Sequence, residues 1–511
     1  MNIAASSEGR PPWASVLLLP LDDRPVSVSL PSQIAGIAGV EVKTPGRDLR
    51  PHFREVPVAG GLAEWFARMR TETHAAVVSL DALACGSLIG SRLDDRSAAE
   101  MFVEWRHLTR PGPPVHAAIV VPRAPGVADA TEEPHYWDPH GPGLHALSTE
   151  LSDGSALDEA LERVPRLPRD VVRDWLSRRL RQHAMALGAL DLHRRALLQT
   201  LVIGVDDATP HSLSAVAQRD LQRWAELTGP PEDVFVHPGA DETGAALMAR
   251  AVLGLSGQRA PRIAIVSHGV DTLTRIAPYE TAPVGVTAER QLMAAGAQIT
   301  HDLSTADAVM VVHPPAVAPF DGDWALSPPE RTDATSANAT AGLAARLMSE
   351  NHAVAIADVA HPNGGDPALS AALSTERLWQ GLLGYAGWNT AGNSLGTVAA
   401  QLVATLTAQS LGTLNTSEHR AMMARRIVED LGWMSLIRTK ARREIGSDPG
   451  RHDVVTPTCE QRGQWESDLS EVLQGVGGFS DMRVEAGSLR LPWNRTFELD
   501  VNIDHGSGRA S

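Results

Sequence analysis

A chain of 511 residues with 43% hydrophobic and 21% charged residues can bury a large core and is neither fibrous nor disordered along its length. Its formal net charge of -16 excludes a surface built to follow phosphate backbones, which needs clustered Lys and Arg, so no nucleic-acid partner is expected. Cys85 and Cys459 are the only cysteines, too few for a disulfide framework or a thiolate metal site, and they fit a reducing compartment.

The opening MNIAASSEGRPPWAS has no basic stretch leading into an apolar run, and no run of about 18 residues is free of charges and turn formers. A cytoplasmic protein with no membrane partner is therefore expected. Short apolar runs then recur, each closed by a polar or Gly/Pro cluster: VLLLPLDDRP from Val16, VEVKTPG from Val40, AAVVSLDALACG from Ala75 and AAIVVPRAPG from Ala117. The series continues with LVIGVDDATP from Leu201, DVFVHPGADE from Asp233, RIAIVSHG from Arg262, AVMVVHPP from Ala308, AVAIADVAHPNGGD from Ala353 and GYAGWNTAGN from Gly384. All ten read as buried strands.

Helical periods over 62–70, 211–227, 243–253 and 340–351 alternate with these strands, and alternation implies parallel pairing. Thr209 before Pro210 and Asp366 before Pro367 read as helix N-caps. The fold class is α/β, with a parallel-strand (β/α) barrel-like or doubly wound core; the barrel is favoured, carrying an inserted α/β unit over 261–330. Residues 1–260 and 331–410 then supply the two parts of the core, with a helical excursion near 138–199. From residue 411 the text turns to Arg-rich helices and a terminal strand, read as a C-terminal cap, and no internal repeat is visible.

Ligands of parallel α/β folds bind beyond the carboxyl ends of the strands, where helix N-termini also point. Those ends carry Asp22, Asp23 and Arg24; Asp81; Asp206 and Asp207; Asp241 and Glu242; Asp358, His361, Asn363 and Asp366; and Trp388, Asn389 and Asn393. Adjacent Asp206 and Asp207 cannot both point inward from a strand, so their environments should differ, one ionised and one able to donate a proton. The alternative is that Asp207 caps the next helix while Asp206 pairs with a buried Arg. The glycines of HPNGGD permit a tight turn that aims Asn363 and Asp366 at a polyol or a metal, and Trp388 beside Asn389 and Asn393 suits a sugar ring. Core packing of the Trp and simple turn formation by these residues remain open. Neither HExxH, a phosphate-binding glycine loop nor GxSxG occurs.

The motifs PLDDRPVS (20–27), SLDALACGSLIGSR (79–92), GVDDATP (204–210), GADETG (239–244), ADVAHPNGGD (357–366), GYAGWNTAGNSLG (384–396) and LPWNRTFE (491–498) resemble a bacterial family catalogued as domain of unknown function 4127. The order of the acidic and amide turns is also similar to that in O-GlcNAcase and hyaluronidase-type β-N-acetylglucosaminidases, though with extra strands and with Tyr385 as the only nearby pocket tyrosine. That second resemblance implies Asp206 orienting substrate, Asp207 as general acid/base, and Asp358, Asn363, Asp366 and Asn389 holding sugar hydroxyls.

The expected function is hydrolysis of a glycosidic or related polyol-linked bond, with Asp207 and Asp206 catalytic and Asp22, Asp23, Arg24, Asp81, Asp241, Glu242, Asp358, Asn363, Asp366, Trp388, Asn389 and Asn393 binding substrate. No cofactor is required. Two alternatives stand beside it: a hydrolase or lyase holding a divalent cation on Asp22, Asp23, Asp206, Asp207 and Glu242, and a protein that binds a carbohydrate or metabolite without reacting.

Overall fold

The apolar runs form strands because flanking helices bury them on both faces. The computed structural model describes residues 12–55, 60–228, 232–316, 334–445 and 455–505. In it β1 (Ala14–Leu19), β2 (Val40–Lys43), β3 (Ala75–Ser79), β4 (Val115–Val121), β5 (Thr200–Val205) and β6 (Val234–Pro238) form one sheet in the order β2-β1-β3-β4-β5-β6. A second sheet has the order β8-β7-β9-β10-β11, built from β7 (Arg262–Ser267), β8 (Gln298–Ile299), β9 (Ala308–His313), β10 (Val354–Asp358) and β11 (Leu382–Ala386). Every pairing in both is parallel.

The favoured barrel is therefore corrected to two open, doubly wound sheets. Strand and helix alternation fixes parallel pairing but not closure, and here β6 and β7 belong to different sheets. The strands of the expected insertion, β7 and β9, hydrogen-bond into the same sheet as β10 and β11; residues 317–330 of that span lie outside the described residues. Each sheet begins with the same order of five strands, the first of them flanked by the second and third. The chain thus repeats a topology that its sequence does not display, with a switch point beside β1 and another beside β7.

The helices follow in chain order: α1 (Pro25–Ile37), α2 (Gly61–Met69), α3 (Leu80–Cys85), α4 (Leu88–Leu93), α5 (Ala98–Glu104), then α6 (Trp137–Ser152), α7 (Leu157–Arg163) and α8 (Arg169–Arg194) as the expected excursion. After them come α9 (Leu213–Thr228), α10 (Thr243–Ser256), α11 (Val284–Ala295), α12 (Ala334–Ser349), α13 (Pro367–Thr375) and α14 (Ala391–Leu411). The C-terminal region holds α15 (Thr416–Arg426), a π-helix (Ile427–Ile437), α16 (Arg438–Ile445), α17 (Cys459–Gly475) and an antiparallel pair, β12 (Met482–Val484) with β13 (Ile503–His505). Among the described residues no helix is long and apolar enough to cross a membrane.

One apolar layer, drawn from α1, α10, α11 and α14, is shared by the two sheets: Leu18 of β1 and Met310 of β9 lie in the same cluster as Leu247, Leu292 and Leu395. Within it α14 crosses the end of β6 closely. A methyl group on Gly392 would stand 2.6 Å from the Pro238 carbonyl oxygen, and one on Gly396 would stand 2.3 Å from Glu242 Cγ. Two glycines one helical turn apart thus bring the carboxyl ends of the sheets side by side.

Asp366 caps α13 as expected, accepting from the Ala368 N–H at 2.8 Å with Pro367 at the first helical position. Thr209 does not cap a helix. The segment after β5 first reaches across to the second sheet, where Ala208 N–H donates to Tyr279 O at 3.1 Å, so α9 starts only at Leu213. Ser212 Oγ then accepts from Ala215 N–H. The terminal segment expected as one strand is mostly irregular, and residues 491–498 lie across the rim of the first sheet.

Candidate functional site

Loops from both sheets meet at this rim. Besides the contact of Ala208 with Tyr279, Gly392 N–H donates to Glu280 Oε1 at 2.7 Å, and Asn389 Nδ2 donates to Asp241 Oδ2 at 3.0 Å. The Asp241 N–H in turn donates to Asn393 Oδ1 at 3.3 Å. Turns after β5 and β6 are thereby tied to turns after β7 and β11.

The adjacent acids at the end of β5 do occupy different environments. Asp206 Oδ2 takes Arg92 Nη2 at 2.6 Å, and its Oδ1 accepts the N–H of Asp207 at 2.9 Å. Burial acts to raise its pKa, but Arg92 and Arg123 outweigh burial and hold it below the usual carboxylate range. Asp207 pairs more weakly, with Arg123 at 3.4 Å, and its side chain is 34% exposed against 11% for Asp206. Burial and the charge of Asp206 push it up to about 6. The pairing alternative thus holds for Asp206, while Asp207 caps no helix.

Around the pair lies a web of ion pairs that the sequence did not expose. Arg92 and Arg123 share Glu132 and Glu133. Arg24, 6% exposed, binds Asp22 at 2.8 Å, Asp241 at 2.6 Å and Glu498 at 2.8 Å. Burial opposes its charge, yet the three carboxylates raise its pKa well above the ordinary value. Glu498 is pushed up to about 7 by burial, against the pull of Arg24 and Arg495. The segment that carries it also inserts Arg495, paired with Glu132, and Trp493, whose Nε1 donates to Asp23 Oδ1 at 2.7 Å. LPWNRTFE marked this segment, and the acid pair in ATEEPH was readable, but neither reveals its partners.

Other expected residues lie elsewhere. Asp81 is fully buried, accepting from Val120 N–H and Gln182 Nε2, both at 2.9 Å, and burial lifts it to about 6; it braces β4 against α8. Asp358 accepts from Asp366 N–H at 2.6 Å and Tyr385 OH at 3.1 Å, while Asp366 meets His313 Nε2 at 3.1 Å. These groups are buried, and burial raises Asp358 to about 6. The second sheet is tied to the π-helix nearby, where Asp430 accepts from Gly387 N–H. Asn363 contributes backbone: with φ of 62° it donates its N–H to Asn389 O at 2.7 Å. Trp388 is core, 4% exposed with Nε1 donating to Thr397, and presents no platform to a sugar.

Glu242 is fully enclosed between α10, α11 and α14, bonded to Gln291, and burial raises its pKa well above the usual glutamate value. Such a group stabilises the fold while protonated, below the ordinary glutamate range, and that contribution is lost as pH rises toward the folded pKa. Glu242→Gln keeps the shape and removes the proton dependence. Its melting temperature should match the wild type near pH 5 and exceed it by a few degrees near pH 9; equal melting at pH 9 would place the burial cost elsewhere.

Among the described residues no three His, Cys, Asp or Glu side chains converge to hold an ion. The donor set expected for a divalent cation does not assemble: Asp22 and Asp206 serve Arg24 and Arg92, and Glu242 lies in the helical layer. No curated protein and no solved structure matches the chain. The profile of the family described as Protein of unknown function (DUF4127) matches residues 16–502, from β1 through the segment lying across the rim, and the chain belongs to that family.

Proposed function

We propose that the protein is a hydrolase of a glycosidic or related polyol-linked bond, with Asp207 as acid/base and Asp206 as its electrostatic partner. One observation carries this reading. Two consecutive carboxyl groups at the rim have pKa values driven in opposite directions, and the raised one is partly exposed to solvent. Cleavage of a C–O bond needs a proton for the departing oxygen and a fixed negative charge near the carbon it leaves.

The surroundings suit a polyol. Asp241, Asn389 and Arg24 set acceptors and donors within one connected cluster, as hydroxyl groups that both donate and accept require. Free Cys85 and Cys459 accord with a cytoplasmic setting. The test is a panel of alkyl glycosides, oligosaccharides and polyol esters incubated with folded protein at pH 5.5, with products followed by chromatography. Product from at least one compound, absent with Asp207→Asn, is the expected result; release from none would overturn the reading.

A further inference from the structure

At the edge of the same rim stands a histidine to which neither sequence motif nor family assigns a role. His52 lies on the turn between β2 and α2 with its side chain 64% exposed, and its Nδ1 is 3.0 Å from Asp23 Oδ2. The other oxygen of Asp23 accepts the indole N–H of Trp493, so the carboxylate is held from both ends. A carboxylate against Nδ1 places the hydrogen of the neutral ring there and leaves the lone pair of Nε2 facing solvent.

The contact is held by backbone that ordinary residues avoid. Phe53, next to His52 in the chain, and Trp493, bonded to Asp23, both have φ of 54°, and their rings meet tilted by 35° with centroids 5.0 Å apart. Left-handed backbone in bulky residues is costly and persists where surrounding structure imposes it, often at functional sites. A surface ion pair contributes too little to justify that cost. Arg24 and Arg495 lie over the Trp493 ring, at 4.9 and 4.7 Å. Arg24 also binds Asp241, and Arg495 meets Glu132, which pairs with Arg92, the partner of Asp206. The dyad and the acid pair are parts of one web.

We propose that His52 is the general base of this site, oriented by Asp23, and that it takes the proton of the water that attacks the substrate. The proposal rests on the hydrolase reading. As the water oxygen bonds to the carbon under attack, its proton passes to His52 Nε2. The bond to the leaving oxygen breaks with its electron pair on that oxygen, and Asp207 supplies the proton it needs. His52 then releases its proton to solvent while Asp207 regains one, so the net change is one water added across the bond.

The experiment uses the alkyl glycoside or oligosaccharide that the wild type hydrolyses. His52→Ala should lower kcat by about 10²–10⁴-fold with KM nearly unchanged, the range ascribed to a positioned acid or base, and added imidazole should restore part of the loss. Asp23→Asn should lower kcat about tenfold or more. In ¹⁵N spectra of the histidine rings, with His52→Gln identifying the signal, His52 should carry its hydrogen on Nδ1, and Asp23→Asn should shift that preference. Undiminished kcat in His52→Ala while Asp207→Asn is inactive overturns the proposal and leaves the hydrolase reading standing. A neutral ring protonated on Nε2 overturns it as well, and hydrolysis of no compound in the panel overturns both.

Discussion

Replacing Asp207 by Asn is expected to lower kcat by about 10²–10⁴-fold without lowering the melting temperature at pH 7. The first half follows from the assigned role, since an amide cannot give a proton to the leaving oxygen. The second follows from the pKa. Burial and the neighbouring charge of Asp206 lift Asp207 to about 6, so above that pH its carboxylate is a cost to the fold that Asn removes. Arg123 keeps Glu132 and Glu133 as partners in the variant. The same values set the wild-type profile: the acid form of Asp207 is depleted as pH rises through about 6, so kcat/KM should fall about tenfold per pH unit above it. Asp206, held low by Arg92 and Arg123, stays ionised across that window. Steady-state kinetics from pH 4 to 9 decide the matter: activity that climbs above pH 7, or survives in Asp207→Asn, would remove Asp207 from the mechanism.

The strands were legible because a run buried on both faces has to be apolar throughout; all ten expected runs are strands, and the eleventh parallel strand, Gln298–Ile299, is too short to leave such a mark. Their arrangement was not legible, since periodicity states how a segment is buried and not which segment lies beside it. The split between Asp206 and Asp207 could be foreseen from their adjacency. What produces it could not: Arg92 is 114 positions away from Asp206, and Glu498 is 474 from Arg24. Trp388 shows the opposite error, because an indole next to amides reads the same on a rim as in a core. Glu280, by contrast, follows β7 in a stretch without paired acids, and its place at the junction shows only in its contacts, such as the bond from Gly392.

The largest loss of stability is expected from Arg24→Met. Arg24 ion-pairs with Asp22, Asp241 and Glu498, and removing it strands acids whose side chains are 1%, 12% and 3% exposed. Breaking a buried pair by deleting one partner typically costs about 3–5 kcal/mol, because the remaining charge keeps its desolvation penalty without compensation. The deficit should depend on pH in a definite direction. Without Arg24 the folded-state pKa of Glu498, already about 7, moves up, and a raised carboxyl is destabilising only where its proton must be lost. The gap between variant and wild type should therefore be widest near pH 8 and narrow toward pH 5. Adding Glu498→Gln should recover part of the stability at pH 8, the coupling that a shared contact produces, whereas Arg24→Lys should recover little, since one ammonium cannot span three carboxylates as a guanidinium does. Denaturant unfolding of the single and double variants at both pH values measures each term, and a loss under about 1 kcal/mol, or one equal at pH 5 and pH 8, would show that the web is held by packing rather than by this charge.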